Sequence, residues 1–441
     1  MEKYRKEDRE LRQQTKTPVR ILHVLGRLDR GGAEAMVMNL YRAVDREKLQ
    51  FDFVLHTEEE CAYSAEVRKL GGRIFTVPAF SAQTASRYQK AWRELLWTHP
   101  EWHILHSHVR STASLYLPIA RKYGMKTIIH SHNTDSGKGL GAMVKSLLQY
   151  PLRFQADYLF ACSQAAGEWL YGKKACRGKR FYLLKNAIDT GRFAFSEDSR
   201  TKKRRELGIP EQALVVGHIG RFEEQKNHRF LMKIWEAVNA GFAEWEIKQE
   251  SLGVSEVQGK LEGPARECVL LCIGEGVLEP EIRKLAAEKG FTNVRFLGSR
   301  SDVNELLSAM DVFLFPSLFE GLPVTLIEAQ AAGLPIVASD TITGEVMVTP
   351  LVQMCSLQES AKAWAGKIFQ AVGERKKELQ MSGEMSGQEI AVSAEDWIQE
   401  RKYGSQSAIR RIQAAGYDIT QTAAWLSDFY LFLEADAAVR V

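Results

Sequence analysis

Residues Pro316–Asp340 read PSLFEGLPVTLIEAQAAGLPIVASD, and they run from the end of one strand through a turn and a helix to a second strand. Pro323 is predicted to lie in the first helical turn, where its missing N–H costs nothing, and Gly333 suits the end of the helix. Glu320 therefore lies just before the helix, and Glu328 lies within its early turns. Two carboxylates placed around one helix start suggest a ligand.

Short apolar strands alternate with amphipathic helices along the rest of the chain, which predicts parallel sheets with both faces covered. One series begins with VRILHVLG at residues 19–26, and a second begins with LVVGHIGR at residues 214–221. Each opens with a strand, a glycine-bearing loop and a helix, so we predict an α/β protein with two Rossmann-like domains. Ligands bind at the carboxyl ends of the strands in such sheets, and the expected site is the cleft between the domains.

The domain boundaries follow from shifts in composition. We predict an N-terminal Rossmann-like domain over residues 18–195 and a C-terminal Rossmann-like domain over residues 206–400, with a polar, basic segment between them. Residues 405–441 are predicted to be helical and to pack back toward the N-terminal domain. Two polar stretches, 243–268 and 381–396, fit this plan poorly and are interpreted as inserted loops.

The composition disfavours several classes of protein. The chain has 441 residues, of which 45% are hydrophobic and 26% charged, and its net charge is +4. No apolar run reaches the roughly 18 residues that a transmembrane helix needs, and the charged N-terminus does not resemble a signal peptide. The six cysteines are scattered, which favours buried thiols in a reducing cytosol. We therefore expect a cytoplasmic protein, and we expect no nucleic-acid partner.

Two cations and two glycines follow strands in the second half. GRFEEQKNH places Arg221 just after a strand and Lys226 five residues later. Arginine grips phosphate oxygens bidentately and lysine adds a point charge, so this pair suits a diphosphate, with a solvated basic loop as the alternative. Gly274 and Gly276 follow another strand and are predicted to open a helix whose N–H groups are free for an anion, although Gly-x-Gly alone is a weak signal.

A glycine pair also marks the first half. GRLDRGGAE lacks the Gly-x-Gly-x-x-Gly spacing, which argues against a nicotinamide enzyme. Gly31 and Gly32 can still let backbone N–H groups approach a phosphate at a helix start, and a flexible connector is the alternative. Carboxylates pair well with vicinal diols, so one of Glu320 and Glu328 suits a ribose and the other a sugar.

Two HSH pairs raise the question of a metal. His106 and His108 share one strand face, and so do His130 and His132. A zinc site is disfavoured because no carboxylate or cysteine motif completes a ligand set. The chain also lacks an Asp-x-Asp motif that would hold a metal–nucleotide pair. We therefore predict neither a metal nor a cofactor.

Together these motifs resemble the signature of the retaining family 4 (group 1) glycosyltransferases. Glu320, seven residues and Glu328 match that signature, as do Gly220 and Arg221 with Lys226, and so does the RGGAE loop. Apart from its insertions, the whole chain looks like a bacterial capsular or exopolysaccharide glycosyltransferase. The resemblance implies the GT-B fold, in which two Rossmann-like domains face each other across a cleft, and the use of nucleotide-activated sugars without a metal.

The resemblance also implies roles for the motif residues. Arg221 and Lys226 would bind the diphosphate, and Glu328 would bind the ribose hydroxyls. Glu320 would contact hydroxyls of the donor sugar.

Four backbone positions and one histidine complete the implied donor site. The backbone at Gly321 and Leu322 would assist Glu320, and the loop at Gly31 and Gly32 would close on the phosphate. His132 matches the family histidine near the reacting end of the donor sugar, and a satisfied core histidine is the alternative.

The implied activity is transfer of a hexose-type sugar, with retention, from a nucleotide diphosphate sugar. The donor is a UDP-sugar in most of the family, and the acceptor would be a saccharide or lipid-linked saccharide in surface polysaccharide biosynthesis. A nucleotide-sugar 2-epimerase and a non-catalytic carbohydrate-binding scaffold stay open, whereas a glycoside hydrolase would not need the two cations. Residues 139–154 suit either an anionic membrane at its inner face or an ordinary core-facing helix.

Overall fold

The computed structural model of the chain describes residues 17–29, 31–132, 140–251, 267–384 and 394–439. It divides into two compact units, the first made of Met1–Ile188 with Gly416–Val441 and the second of Asp189–Ala415. The predicted C-terminal segment is therefore divided, because residues 405–415 belong to the second unit.

The first unit is built on a seven-stranded parallel sheet. Its strands are β1 Val19–Leu25, β2 Leu49–Leu55, β3 Ile74–Thr76, β4 Ile104–Ser107, β5 Lys126–Ser131, β6 Tyr158–Ala161 and β7 Phe181–Leu183. They lie in the order β3-β2-β1-β4-β5-β6-β7. The central strands are apolar and buried along most of their length, as expected when helices cover both faces of a parallel sheet.

Helices connect these strands and cover the sheet. They are α1 Gly32–Ala43, α2 Ser64–Lys69, α3 Ala85–Thr98, α4 Ala113–Lys122, α5 Leu140–Gln149, α6 Leu152–Gln155, α7 Gln164–Tyr171 and α8 Lys173–Cys176. The C-terminal helix, Ile419–Val439, packs against α1, β1 and β4. Its Leu426, Tyr430 and Leu433 are fully buried in the core on that face, which explains why the last helix belongs to the first unit.

The second unit contains a six-stranded parallel sheet. Its strands are β8 Leu214–Ile219, β9 Cys268–Ile273, β10 Val294–Phe296, β11 Val312–Phe315, β12 Ile336–Ser339 and β13 Val352–Cys355, in the order β10-β9-β8-β11-β12-β13. The helices are α9 Glu197–Glu206, α10 His228–Ser251, α11 Glu279–Glu288, α12 Val303–Ala309, α13 Val324–Ala331, α14 Ala361–Glu384 and α15 Ala394–Ala414. This strand order is that of a Rossmann sheet, so the predicted fold class is confirmed.

The two predicted insertions need correction. Residues 243–251 do not form a loop, since they continue α10. The helix continues because Trp245 stacks on Phe369 of α14, with ring centres 5.2 Å apart. Residues 381–384 likewise end α14, 394–396 begin α15 and Cys268 begins β9, whereas residues 252–266 and 385–393 lie outside the described residues.

One surface of the first unit carries exposed apolar side chains. Leu147, Tyr150 and Phe154, at and after the end of α5, are 74%, 59% and 65% exposed. They lie in the described part of the predicted 139–154 helix, so this part is not simply a core helix. A search of the described residues finds no helix that is both long enough and apolar enough to cross a membrane.

Candidate active site

Lys226 is held firmly at the end of the loop that follows β8. Its side chain crosses Gly220, where a Cβ would lie 3.0 Å from a lysine methylene carbon. Its Nζ donates to Oε1 of Glu320 at 2.6 Å and lies 4.6 Å from the centre of the Phe315 ring. The lysine and glutamate side chains are only 16% and 11% exposed. Packing, a carboxylate and a ring face therefore fix an ammonium that donates one N–H to Glu320 and keeps two for a ligand.

Arg221, the other predicted phosphate ligand, is far more exposed. Its side chain is 69% exposed, and its Nη1 lies 2.8 Å from Oε1 of Glu223. An exposed ion pair of this kind contributes about 0–1 kcal/mol. The guanidinium can therefore exchange Glu223 for an anionic ligand at little cost.

Amide side chains join the loop after β8 to the loop after β11. Nε2 of Gln225 donates to the carbonyl of Phe319 at 2.9 Å, and Nδ2 of Asn227 donates to the carbonyl of Pro316 at 3.1 Å. Asn227 has the left-handed φ of 56° that asparagine tolerates better than most residues. These contacts set the spacing of the lysine–glutamate pair, and no motif in the sequence marked either amide residue.

Glu328 lies in the second turn of α13, within the early turns as predicted. Desolvation raises the pKa of its partly exposed side chain to about 7, and the positive charge of Arg192 opposes that rise. Across the described ranges, no side-chain hydrogen bond to this carboxyl is found. Its oxygens are therefore available to hydroxyl donors, which favour the ionised form. Arg192 lies outside every motif, so no pattern in the sequence pointed to it.

The start of α13 differs by one residue from the prediction. Pro323 is the N-cap, with φ −73° and ψ 100°, and the first helical residue is Val324. The extended ψ of Pro323 keeps it out of the first turn. Gly333 follows the helix end with a left-handed φ of 67°, as predicted. The N–H groups of Gly321 and Leu322 have no acceptor within the described part of the chain, which leaves them available to a ligand.

Gly274 and Gly276 let the loop after β9 pack against the loop after β8. Gly274 has a φ of 136°, and a Cβ at this position would overlap the carbonyl oxygen of Gly220. A Cβ on Gly276 would lie 2.6 Å from the carbonyl oxygen of Phe222. The N–H of Gly274 donates at 2.8 Å to a carbonyl in the loop after β10. The prediction of an N–H free for an anion is therefore wrong for Gly274. The two glycines instead shape the loop that carries the predicted phosphate ligands.

On the first unit, Gly31 and Gly32 lie at the start of α1. Gly31 is the N-cap, with an extended φ of −97° and ψ of 169°. A Cβ there would overlap the carboxylate of Glu34, which folds back over the helix start. Burial raises the Glu34 pKa, a hydrogen bond with its own backbone lowers it, and the charge of Asp29 raises it further. A carboxylate thus lies where the helix dipole favours an anion.

His132 directly follows β5, as the resemblance implies. Its Nε2 lies 2.9 Å from Nδ1 of His108, and its Nδ1 has no partner among the described residues. Burial and, to a smaller extent, the positive charge of Arg110 lower the His132 pKa to about 3. The ring is therefore neutral at physiological pH and can offer a hydrogen bond but no positive charge.

A larger histidine cluster surrounds this residue, and His23 of β1 is the member that the sequence analysis missed. Two groups of three have potential ligand nitrogens within 4.8 Å of one another: His23 with His106 and His108, and His108 with His130 and His132. The strands β1, β4 and β5 are neighbours in the sheet, which brings their carboxyl ends together. These five histidines are the described residues with the composition of a metal site, and the prediction of no metal stays a prediction.

The predicted site residues fall into two groups. The loops after β8, β9 and β11 and the start of α13 carry Arg221, Lys226, Gly274, Gly276, Glu320, Gly321, Leu322 and Glu328, all on the second unit. The first unit carries Gly31, Gly32 and His132. Each group lies at the carboxyl ends of parallel strands, where Rossmann-like sheets bind ligands.

Each half of the chain matches a known protein family. Residues 30–192 match the family described as Glycosyltransferase Family 4, and residues 213–373 match Glycosyl transferases group 1. EpsF of Bacillus subtilis (strain 168), which is named as a glycosyltransferase, is 35% identical over 368 residues, covering 82% of this chain and 90% of EpsF. The UDP-Gal:alpha-D-GlcNAc-diphosphoundecaprenol alpha-1,3-galactosyltransferase of Escherichia coli is 24% identical over 54% of this chain and 58% of its own length.

Solved structures share the fold. HepE of Anabaena, solved in complex with UDP, superposes with a TM-score of 0.65 at 16% identity, over 94% of this chain and 99% of HepE. WaaG, a glycosyltransferase involved in lipopolysaccharide biosynthesis, gives a TM-score of 0.60 at 16% identity, over 93% of this chain and 99% of WaaG. With this fold, the two family matches and the extended identity to EpsF, the chain belongs to the group 1, family 4 glycosyltransferases of the GT-B fold.

Proposed function

We propose that the protein is a retaining glycosyltransferase that moves a hexose from a UDP-sugar to a saccharide or lipid-linked saccharide in surface polysaccharide biosynthesis. The observation that carries this proposal is the Lys226–Glu320 pair, a cation and a carboxylate fixed 2.6 Å apart where the loops after β8 and β11 meet. A nucleotide sugar presents a diphosphate beside sugar hydroxyls, so it offers a partner to each of these groups at once.

The charged residues of the second unit and two of its backbone N–H groups have proposed roles in donor binding. Arg221 and Lys226 neutralise the diphosphate, and Glu328 accepts hydrogen bonds from the ribose hydroxyls. Glu320 accepts from the donor sugar, assisted by the unpaired N–H groups of Gly321 and Leu322. In this assignment the ribose binds Glu328, whose oxygens have no side-chain hydrogen bond among the described residues. The donor sugar binds Glu320, whose carboxylate is ion-paired with Lys226 and therefore lies close to the phosphate ligands.

Residues of the first unit complete the proposed donor contacts. A phosphate oxygen replaces the Glu34 carboxylate at the helix start formed by Gly31 and Gly32, which is a common location for phosphate. The neutral ring of His132 donates or accepts one hydrogen bond near the reacting carbon of the sugar. Uridine is the proposed base because HepE was solved with UDP and with UDP-glucose, and because the E. coli relative is named for UDP-Gal.

The proposed chemistry needs no covalent enzyme intermediate. The bond between the sugar C1 and the diphosphate oxygen breaks, and the acceptor oxygen bonds to C1 on the same face. The acceptor proton passes to the departing phosphate oxygen. Arg221 and Lys226 stabilise the charge that grows on the diphosphate, which is the main electrostatic requirement of this step.

The exposed side chains after α5 suit a lipid-linked acceptor. Tyr150 and Phe154 project beside Arg153, whose guanidinium carbon lies 4.6 Å from the centre of the Tyr150 ring. Aromatic rings combined with basic residues are typical of surfaces that bind the interface of anionic membranes. We therefore propose a cytoplasmic protein that contacts the inner membrane face through this surface.

A thermal-shift experiment with uridine, guanosine and adenosine diphosphates tests the donor. UDP is expected to raise the melting temperature in the presence of EDTA, since a ligand at 100 times its Kd stabilises the native state by about 2.7 kcal/mol. A shift with only the guanosine or adenosine nucleotide would contradict the base assignment. An absolute need for Mg²⁺ would contradict charge neutralisation by the two cations.

Product analysis tests the reaction. Incubation with the stabilising UDP-sugar and a lipid-linked saccharide should yield a product whose anomeric configuration, read by NMR, matches the donor. Inversion would contradict the proposed stereochemistry. Conversion of the nucleotide sugar to its epimer without an acceptor would favour the epimerase alternative.

A further inference from the structure

Three histidines of the first unit form a hydrogen-bonded chain that ends at His132. Nδ1 of His23 lies 3.1 Å from Nε2 of His108, and Nδ1 of His108 lies 2.9 Å from Nε2 of His132. His23 is fully buried on β1, and His108 follows β4. Both nitrogens of the middle ring are therefore used, one toward the core and one toward His132.

The rings are neutral and tightly packed. Burial lowers the pKa of His23 and His132 to about 3 and holds the pKa of His108 well below its usual range. His106 stacks on His108 with ring centres 4.5 Å apart, and His130 stacks on His132 at 4.1 Å. Each neutral ring carries one N–H, so every hydrogen bond in the chain has one donor and one acceptor.

The direction of the chain follows from which of its two ends a ligand can meet. Nε2 of His23 and Nδ1 of His132 are both enclosed by protein and have no hydrogen-bond partner among the described residues, but only the His132 end belongs to the proposed donor site. A buried unpaired N–H group is rarer in proteins than a buried unpaired acceptor. His23 therefore keeps its proton on Nδ1 and donates to His108. His108 in turn donates from Nδ1 to Nε2 of His132, which leaves the His132 proton on Nδ1.

We propose that His108, backed by His23, is a positioning residue that holds His132 in one ring orientation and as the Nδ1–H tautomer. This inference rests on the proposed function, because it makes His132 a hydrogen-bond donor toward an oxygen of the nucleotide sugar. The Nδ1 atom of His132 has no partner within the described ranges and is the end of the chain left for that oxygen. His108 itself touches no substrate.

Ring geometry argues against a metal in the group of His23, His106 and His108, whereas the ring planes of His108, His130 and His132 differ by 29° to 39°. The planes of His23 and His108 differ by only 11°, and those of His106 and His108 by 18°. Near-parallel rings direct their nitrogens along similar lines rather than toward one point, whereas a tetrahedral ion needs converging ligands. Both nitrogens of His108 are also close enough to a histidine neighbour for hydrogen bonding.

Nitrogen NMR on the full-length protein labelled with ¹⁵N-histidine tests the tautomer directly. The His132 signals are identified by their loss in His132→Gln. In the unsubstituted protein, Nδ1 of His132 is expected to give a protonated-nitrogen resonance and Nε2 an unprotonated one. His108→Phe keeps a ring but removes both hydrogen bonds, so His132 should become a mixture of tautomers. An unchanged His132 spectrum in this variant would overturn the proposal.

Kinetics with the UDP-sugar provide the second readout. His108→Phe should lower kcat by about 10- to 100-fold, the usual range for losing the outer partner of a functional imidazole, with a smaller change in KM. His108→Asn places an amide near the former Nδ1 and should recover part of kcat. Equal losses in both variants would indicate a structural role and overturn the proposal.

His103→Gln is the matched control. His103 is a buried histidine that precedes β4, and its Nδ1 is bonded to Glu434 at 2.7 Å rather than to the chain. This variant is expected to lose stability but to leave the His132 tautomer unchanged. A His132 tautomer shift in His103→Gln would overturn the assignment to His108.

Two further outcomes separate this inference from its alternatives. Binding of one equivalent of Co²⁺ with ligand-field absorption that His108→Phe abolishes would replace the hydrogen-bonded chain with a metal site. If no nucleotide sugar is used but the His132 tautomer depends on His108, the proposed function fails while the positioning role stands. The NMR experiment requires no activity, so the two failures are distinguishable.

Discussion

At the scale of single residues, two glutamates near one end of α13 differ in their surroundings. Glu320 is ion-paired with Lys226, whereas Glu328 has a pKa near 7 and no side-chain hydrogen bond among the described residues. An ionised carboxylate accepts at both oxygens and binds the two hydroxyls of a ribose more strongly than the protonated group, which keeps only part of its acceptor capacity. This difference allows the two proposed roles to be tested separately.

Glu328 should make nucleoside binding dependent on pH. Its pKa in the free protein is about 7, so hydroxyl donors that favour the ionised form must displace a proton below that pH. Affinity for uridine should therefore be greatest above pH 7 and fall by up to about tenfold per pH unit below it. Ligand-observed NMR titration at pH 6 and pH 8, about one unit below and one unit above the pKa, measures this affinity difference.

Uridine is the appropriate probe because phosphate groups themselves titrate near pH 6. Glu328→Gln keeps the size of the side chain and removes the titrating group, so its affinity should be weaker and independent of pH. A pH slope that persists in this variant would show that another group is responsible.

Glu320→Gln should separate the sugar from the nucleotide. The amide still accepts a hydrogen bond from Lys226, so binding of UDP should change little. The UDP-sugar should bind more weakly or turn over more slowly, because one charge-assisted hydrogen bond contributes about 1.5–3 kcal/mol. Calorimetric titration with both ligands gives the comparison.

Arg221→Ala serves as the reference for a phosphate contact. It should weaken UDP and the UDP-sugar alike, and the loss should be smaller for uridine, which lacks phosphates. Equal losses for all three ligands in the Glu320 and Glu328 variants would mean that both glutamates merely support the helix.

Functional residues could be predicted from the sequence where the residue type and its spacing from other motif residues indicate a function. Lys226, Glu320 and Glu328 belong to this class, and the structure places all three at the ends of parallel strands. Gln225 was missed because it acts by bonding the backbone of a loop far away in sequence. Arg192 was missed because its effect on Glu328 is a long-range charge that no local pattern records.

At the scale of elements, the loops after β8 and β9 depend on a close approach at Gly274. Gly274→Ala should displace the Gly220 carbonyl and with it the loop that carries Arg221, which weakens UDP binding as well as lowering stability. Isothermal titration and urea unfolding measure the two effects. We expect a tenfold or greater loss in affinity, about 1.4 kcal/mol, because a backbone carbonyl cannot move aside as a side chain does.

Gly290→Ala is the matched control for that variant. Gly290 also has a positive φ, 70°, but no atom outside its chain neighbours lies within 4 Å of its Cβ position. Its φ lies in the left-handed region, where an L-residue costs about 1–2 kcal/mol, so Gly290→Ala tests a positive φ without the steric overlap. Unchanged UDP affinity is expected, and a similar loss in both alanine variants would rule out the close approach as the cause.

Elements could be predicted where the apolar run was continuous. The strands β1 and β8, which open the two series, were predicted for that reason, whereas no pattern marked β13, a short edge strand whose middle residues are only half-buried. The end of α10 was assigned to a loop because its sequence is polar. Only the packed fold reveals that Trp245 stacks on a helix more than a hundred residues later.

At the scale of the whole molecule, a buried network joins four segments of the first unit. Asp52 of β2 is fully buried and accepts hydrogen bonds from Arg20 at 2.6 Å and 2.7 Å, from Trp102 at 2.8 Å and from Arg73. Burial alone would raise the Asp52 pKa, but these hydrogen bonds bring it down to about 2. The carboxylate therefore stabilises the fold in its ionised form.

The pH dependence of that stabilisation follows from the direction of the shift. The folded pKa of about 2 lies below the ordinary value of 3.8, so the contribution is complete above pH 5 and is lost as the pH falls through 4 toward 2. A shift of this size corresponds to about 2–3 kcal/mol at neutral pH. Asp52→Asn should destabilise the first unit by at least that amount at pH 7, since it leaves two partly buried guanidinium groups without their carboxylate.

Hydrogen exchange resolves the two units in this experiment. At pH 7, amides of β1 and β2 should exchange faster in Asp52→Asn than in the unsubstituted protein, while amides of β8 and β11 should be unchanged. Urea unfolding at pH 7, 5 and 3.5 should show the difference between the two proteins beginning to shrink at pH 3.5, because the aspartate of the unfolded chain becomes protonated near its ordinary pKa of 3.8. A difference that is constant over this range would mean that the asparagine disturbs packing rather than removing a charge.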